Sequence, residues 1–146
     1  MRRKTSALAC LFAIAIASPL GAREELPAET RYGPFYGVVS DCHSPDVLSR
    51  IQSRFASTER RYWSSNAEII GFEKIRQSGL RADGLDLVPR RTCEAVAVMA
   101  DRKRLRLRYA IIENYGFPGF GEGVSFCLAG YDRNLTAAGD CSRFTR

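Results

Sequence analysis

The sequence has few of the residues on which enzymatic and metal chemistry most often depends. His43 is the only histidine among 146 residues, and no Cys-x-x-Cys pair occurs. A zinc site built from cysteine and histidine therefore lacks its characteristic spacing. His43 directly follows Cys42, and adjacent side chains seldom align as nucleophile and base. We predict no catalytic residue, no metal site and no bound cofactor.

No hydrophobic run is long enough to cross a membrane, which takes about 20 residues. The run from Ala7 to Ala17 is preceded by the basic residues 2–4 and followed by Ser18-Pro19 and small residues. This order is that of a secretory signal. We predict cleavage after Ala22, a periplasmic or secreted location and no transmembrane anchor in the mature chain.

The excess of positive charge belongs partly to that signal. The formal net charge is +6, but removal of Arg2, Arg3 and Lys4 leaves 19 Lys and Arg against 16 Asp and Glu, a net charge of +3. A polyanion-binding protein usually carries a larger and more segregated excess. Export also separates the chain from nucleic acid, so we expect no nucleic-acid partner.

Four cysteines remain after Cys10 is removed with the signal, and an even number in a short exported chain is typical of two disulfides. They are Cys42, Cys93, Cys127 and Cys141.

One helix is predicted over about residues 45–63. Ser44 is a suitable cap, Pro45 suits the first helical position, and Asp46 complements the positive end of the helix dipole. Apolar residues recur at helical spacing, with Leu48 beside them. The predicted stripe is Val47, Ile51, Phe55, Thr58 and Tyr62.

Four later segments have the composition and alternation of strands. They are residues 67–76, 90–99, 104–113 and 122–131. A polar loop, residues 77–89, separates the first two, and residues 100–103 suit a hairpin turn.

Sequential antiparallel strands form a meander with one buried face, which the helix can cover. We therefore predict an α+β fold, with one amphipathic helix packed on a four-stranded antiparallel sheet. This single domain, residues 44–146, follows the signal peptide, 1–22, and an N-terminal extension, 23–43. The element order resembles the cystatin-like architecture, in which one helix rests on a curved antiparallel sheet, but a fold carries no function by itself.

Strand order limits the disulfide pairing. Cys93 and Cys127 lie on predicted strands that the 104–113 strand separates, too far apart for a direct bond. Two pairings remain: Cys42–Cys93 with Cys127–Cys141, or Cys42–Cys127 with Cys93–Cys141. We prefer the first, because Cys127–Cys141 closes a local loop and holds the tail.

Three short stretches, "PRRTC", "GVSFCLAGYDRN" and the terminal Cys141, give the C-terminal half a resemblance to small, uncharacterised exported bacterial proteins. The resemblance implies export, and no activity or functional residue follows from it.

The stretch "RKRLRLRY" is predicted to be a turn followed by a two-faced strand. Pairing across residues 100–103 sets Val98 opposite Leu105. Alternation along the strand then places Leu105, Leu107, Tyr109 and Ile111 in the core. On this pairing Arg104, Arg106 and Arg108 share the outer face with Cys93, Ala95 and Ala97. That face is either solvated or in contact with an anionic envelope surface.

The segment "NYGFPGFGEG", residues 114–123, is not a phosphate loop, because it does not join a strand to a helix and no lysine follows. Phe117 and Phe120 either fold back onto the core or form an apolar tip that binds a partner. In cystatin-like inhibitors a comparable hairpin tip enters an enzyme cleft, but their QxVxG motif is absent here.

The leading hypothesis is an exported, disulfide-stabilised binding protein of the bacterial cell envelope that is not an enzyme. Its partner would be another envelope protein or an anionic envelope surface. One alternative is a small-ligand binder or isomerase-like enzyme with a cavity between helix and sheet, lined by Glu94 or Tyr109. Another is an inhibitor of an envelope or host enzyme that acts through residues 114–123. A purely structural role in the envelope is a further hypothesis.

Overall fold

The computed structural model describes residues 37–82, 88–116 and 121–144. The predicted signal peptide, most of the 23–43 extension, and Phe117 and Phe120 lie outside these ranges. Within them, one helix and one four-stranded antiparallel sheet of order β1-β2-β3-β4 form an α+β fold. The predicted fold class is confirmed. The elements are α1, Pro45–Trp63; β1, Ile69–Arg81; β2, Arg90–Met99; β3, Arg104–Ile112; and β4, Gly123–Leu128.

The helix has the predicted bounds but a different buried face. The Ser44 carbonyl oxygen accepts the first hydrogen bond of the helix, from the Leu48 N–H, at 3.1 Å. The Ser44 side chain makes no capping hydrogen bond. Ser64 ends it in the left-handed conformation, with φ of 48°. Tyr62, predicted to be in the stripe, is 69% exposed, whereas Glu59 is 2% exposed. The sheet contacts an i+4 row, which winds around the helix axis, and Tyr62 lies off that row. The row is Val47, Ile51, Phe55 and Glu59.

The register of the β2–β3 hairpin differs from the prediction by one residue. Ala97 pairs with Leu105 and Cys93 pairs with Tyr109. Met99 and Lys103 close a three-residue loop through a 2.9 Å bond, and Arg102 has φ of 66°. This loop replaces the predicted four-residue turn, and a shift of one residue exchanges the two faces of a strand.

The faces of β2 are consequently reversed relative to the prediction. Alternate residues Cys93, Ala95, Ala97 and Met99 are buried beneath the helix. Glu94, Val96 and Val98 instead share the outer face with the β3 arginines. Since alanine and valine alternate here, both faces of β2 are apolar, and hydrophobicity does not distinguish them.

Strand β1 runs further than predicted, to Arg81, so the first part of the expected 77–89 loop is strand. This stretch is largely polar because β1 is an edge strand, whose exposure to water removes the apolar alternation.

The core lies between α1 and the inner sheet face. Ile51, Leu107, Tyr109 and Ile111 are fully buried, and burial of each aliphatic side chain contributes about 1.5–3 kcal/mol. The Tyr109 hydroxyl donates a 2.6 Å hydrogen bond to the carbonyl oxygen of Cys42. The segment before the helix is thereby fixed to the central strand β3.

The preferred disulfide pairing is confirmed. Cys42–Cys93 joins the segment before α1 to β2, with Cα atoms 5.9 Å apart. Cys127–Cys141 joins β4 to the tail, with a Cα separation of 5.7 Å. Strand β3 separates Cys93 from Cys127, as predicted.

We expect Tyr109→Phe to lower the free energy of unfolding by about 1–3 kcal/mol at neutral pH, because the buried Cys42 carbonyl loses its donor. Burial raises the pKa of Tyr109 to about 12, above the ordinary value of about 10. The neutral phenol therefore stabilises the fold fully below pH ~10, and this contribution is lost as pH rises through about 12. Urea unfolding between pH 8 and 12 should show the stability difference between wild type and variant shrinking with pH. Tyr62→Phe, at an exposed position, is the matched control, and an equal pH dependence in both variants contradicts the assignment.

Candidate functional site

The arginine face of β3 is on the outer side of the sheet, as predicted, but its three arginines differ in environment. Arg104 forms a 3.2 Å ion pair with the Glu73 carboxylate and stays exposed. The Arg106 side chain is exposed, and its guanidinium makes no hydrogen bond or ion pair with the described residues. Their contact with an anionic envelope surface stays a prediction.

Arg108 is not on an open face. Its side chain is 25% exposed and forms a 3.0 Å ion pair with Glu94. Its guanidinium also donates to the carbonyl oxygens of Cys141 and Ser142, at 3.1 and 3.2 Å. Arg108 thus holds the C-terminal tail against the outer face of the sheet.

The two residues considered for a helix–sheet cavity do not form one. Glu94 lies on the outer face, between Arg108 and Arg76. Tyr109 is fully buried, and its hydroxyl donates a hydrogen bond to the carbonyl oxygen of Cys42. His43 lies in an exposed turn beside Asp41. Among residues 37–82, 88–116 and 121–144 no group of three or more His, Cys, Asp or Glu is arranged to hold a metal ion.

A concavity among the described residues lies beside β4, where no site was predicted from the sequence. We call it the α1–β4 cleft, a groove of about 1040 Å³ between the helix, the edge strand β4 and the tail, residues 131–144. Aromatic side chains supply much of its lining: Phe55, Trp63, Tyr115, Phe126, Tyr131 and Phe144.

The floor of the α1–β4 cleft is the edge of β4. In an antiparallel pair, residues alternate between those that bond to the neighbouring strand and those whose N–H and C=O point away from it. Ala129, one residue beyond β4, bonds to the Arg106 carbonyl at 2.9 Å. The alternation therefore turns the backbone groups of Val124, Phe126 and Leu128 away from β3.

Two of these outward carbonyls already have donors. Arg54 donates to the Val124 carbonyl, and the Tyr131 N–H donates to Leu128 at 2.9 Å. Phe126 keeps both its N–H and its C=O directed into the cleft, and no described residue outside the sheet bonds to them. The N–H groups of Val124 and Leu128 are likewise without a partner in the described part of the chain.

The two edges of the sheet are built differently. Strand β1 has three register shifts against β2, near Gly71, Lys74 and Ser78, and such bulges discourage further strand pairing. Strand β4 pairs with β3 without a register shift from Gly123 to Leu128. The regular edge is thus the one recessed in the cleft.

The helix forms one wall of the cleft. Arg50 and Arg54 are one turn apart on α1, and both are exposed. Arg50 donates to the Glu122 carbonyl oxygen at 2.8 Å, and Arg54 reaches the Val124 carbonyl. These bonds hold both guanidinium groups over the strand edge.

The tail forms the opposite wall, and Asp132 organises it. Partial burial favours the neutral acid, but the Ala137 N–H, the Thr136 hydroxyl and the Gly139 N–H outweigh it and hold the pKa of Asp132 below its ordinary value. The Ala137 N–H donates a hydrogen bond to the Asp132 carboxylate, with the nitrogen and oxygen 2.6 Å apart. The Cys127–Cys141 disulfide ties the same wall to β4.

Aromatic residues line the cleft at both ends of β4, Tyr115 at one and Trp63 and Tyr131 at the other. At one end, Gly123 permits a close passage of the chain, since a Cβ there would lie 2.3 Å from the Tyr115 carbonyl oxygen. At the other, Arg133 lies over the Trp63 and Tyr131 rings, at 5.0 and 5.4 Å, and pairs with buried Glu59 at 2.8 Å.

Arg50, Arg54 and Phe126 were not predicted as site residues. Arg50 and Arg54 carry a usable signal, because an i, i+4 pair shares one side of a helix. Phe126 carries none, because the chain does not reveal which strand edge stays open. Phe117 and Phe120 lie outside the described residues, so their binding role stays a prediction.

Comparison with protein-family models, with curated proteins and with solved structures finds no match. The resemblance to cystatin-like architecture and to small exported bacterial proteins therefore stays a prediction, and the geometry of the cleft alone supports any function assigned to it.

We expect Arg133→Ala to lower the midpoint of thermal unfolding by about 5 °C or more, because it leaves the buried Glu59 carboxylate without its cation. A Glu59→Gln/Arg133→Ala double variant should recover part of this loss, since a neutral amide costs less to bury. Arg60→Ala is the control: its ion pair with Glu68 is exposed on both sides and should contribute little. Equal losses from Arg133→Ala and Arg60→Ala contradict the prediction.

We expect Arg108→Gln to accelerate amide hydrogen exchange at Ser142 and Phe144 by roughly tenfold, because two tail carbonyls lose their donor. Arg106→Gln, on the same strand face, should leave the exchange of both amides unchanged. Equal protection of the tail in both variants would show that the disulfide alone holds it.

Proposed function

We propose that the protein is an exported binding protein that accepts an extended segment of a partner polypeptide in the α1–β4 cleft, as a fifth strand beside β4. The observation that carries this proposal is the open backbone edge of Phe126 at the floor of an aromatic-lined groove. Strand addition supplies main-chain hydrogen bonds for affinity, and flanking pockets supply selectivity.

The dimensions of the cleft support an extended occupant. Six residues of β4 extend about 20 Å, and Phe126 within this length offers a partner strand both its N–H and its C=O. Walls on both sides limit access to one strand, which reconciles an unpaired edge with resistance to aggregation. Tyrosine and tryptophan at the ends offer large contact areas with little loss of side-chain entropy.

The carboxylates of the cleft favour binding over catalysis. Glu59 is paired with Arg133, the Asp132 oxygens accept backbone N–H groups, and a Glu122 oxygen accepts the Ser40 N–H. A general acid or base must reach a reacting atom, whereas each of these groups already holds part of the fold.

Export is supported by the anatomy of residues 1–22 and by the two disulfides, which persist in oxidising compartments. A binding protein of the cell envelope agrees with both features.

The open edge makes a prediction for the amides of β4. In the free protein, the Phe126 amide should exchange faster than the Cys127 amide, whose N–H bonds to β3 in the alternation. A segment selected from a random-peptide display library on the oxidised protein should then protect Phe126 without changing the exchange of Cys127.

Phe126→Pro is the decisive variant, since it removes the outward N–H without removing a bond to β3, and edge strands tolerate such a proline. We expect it to abolish peptide binding, while Phe126→Leu, which keeps the N–H and an apolar side chain, retains it. Circular dichroism and disulfide mapping establish that both variants fold. Undiminished binding by folded Phe126→Pro contradicts strand addition at β4.

A further inference from the structure

We infer that the segment bound in the α1–β4 cleft is acidic, with a carboxylate held by Arg50 and Arg54. This inference rests on the proposed function and adds the chemistry of the partner. Most N–H donors of the two arginines have no acceptor within the described residues, whereas the carboxylates of the cleft already accept hydrogen bonds from the fold.

Arg50 and Arg54 have hydrogen-bond donors left for a ligand. Each guanidinium carries five N–H donors, and each makes one observed bond, to the Glu122 or the Val124 carbonyl oxygen. No carboxylate of the described residues lies within ion-pair distance of either one. Both cations are therefore held in position with most of their donors unused.

The acidic side chains of the cleft, Glu59, Glu122 and Asp132, do not pair with these arginines. Glu122 is closest in sequence to the contacted strand edge, but its carboxylate accepts the Ser40 N–H. Glu59 and Asp132 are occupied by Arg133 and by backbone N–H groups. Of the three, only Glu59 is paired with a cation of the described residues. Glu122 and Asp132 keep their negative charge, but their oxygens accept N–H groups of the fold, whereas Arg50 and Arg54 keep unused N–H donors beside the cleft.

The outer edge of β4 offers more hydrogen-bond donors than acceptors. Its outward groups comprise three N–H donors, on Val124, Phe126 and Leu128, against one carbonyl, on Phe126, that no described residue bonds. A donor-rich edge beside two guanidinium groups selects a ligand rich in acceptors. Arginine forms bidentate, charge-assisted bonds to carboxylates, which exceed neutral hydrogen bonds in strength.

The carboxylate has two sources in a peptide, an acidic side chain or the free C-terminus. Four nine-residue peptides of alternating valine and serine, each labelled at the N-terminus with the same uncharged fluorophore, distinguish them. One is neutral with an amidated C-terminus, one is neutral with a free C-terminus, and two amidated peptides carry three glutamates or three lysines in place of serines. Fluorescence anisotropy with the oxidised protein, at 50 and 300 mM NaCl, measures each affinity.

We expect at least one carboxylate-bearing peptide to bind about tenfold more tightly than the neutral amide at 50 mM NaCl. The difference in affinity between the carboxylate-bearing peptides and the neutral amide should be smaller at 300 mM NaCl than at 50 mM, because salt screens the charges. Preference for the glutamate peptide identifies a side-chain carboxylate, and preference for the free C-terminus identifies the terminal one. The lysine peptide should bind more weakly than the neutral amide.

Arg50→Gln/Arg54→Gln should reduce the preference for the carboxylate-bearing peptides over the neutral amide to within about threefold. Arg60→Gln/Arg61→Gln removes the same charge from α1 outside the cleft and should retain the preference. Equal loss in both double variants reduces the effect to overall charge and overturns the inference.

The failures of the two proposals are distinguishable. If neither carboxylate-bearing peptide binds more tightly than the neutral amide, the inference is wrong, and strand addition still stands wherever Phe126→Pro abolishes binding. If folded Phe126→Pro binds the acidic peptides like wild type, strand addition at β4 is wrong and the inferred acidic strand falls with it.

Discussion

The three-residue turn between β2 and β3 fixes which side of each strand lies under the helix. Its odd length places Ala95 and Ala97 beneath α1, so small side chains lie at the centre of the sheet, where Ile51 and Phe55 pack into the same core. The same register turns Cys93 toward Cys42 and sets Glu94 beside Arg108 on the outer face. With one more residue in the turn, the β2 residues Cys93, Glu94, Ala95 and Ala97 would all change faces relative to β3.

The sheet treats its two edges unequally, and the proposed function depends on that difference. Three bulges interrupt β1, whereas β4 is regular and recessed between the helix and the tail. An open edge is a hazard when any chain can reach it, and a cleft restricts access to an extended segment of suitable width and charge. The β4 edge therefore combines backbone groups that have no partner among the described residues with walls that can select a partner.

The disulfides act on opposite faces of the sheet and support different parts of the cleft. Cys42–Cys93 fixes the chain that leads into α1, and with it the helix wall that carries Arg50 and Arg54. Cys127–Cys141 fastens the tail, where Asp132 gathers backbone N–H groups into a compact turn. Glu59 and Arg133 then join the helix to the tail at the aromatic end. Both walls are thus held by contacts that lie outside the open edge itself.

The sequence by itself determined the helix bounds, the meander order, the preferred disulfide pairing and the inner face of β3, because these follow from local periodicity and short connections. It misassigned the faces of β2, because alanine and valine make both sides apolar and only turn length decides between them. It also placed Arg108 in water, whereas the folded tail covers it. The α1–β4 cleft was decided only by the tertiary structure, because an open strand edge is defined by the absence of a neighbour, and no pattern along the chain encodes that absence.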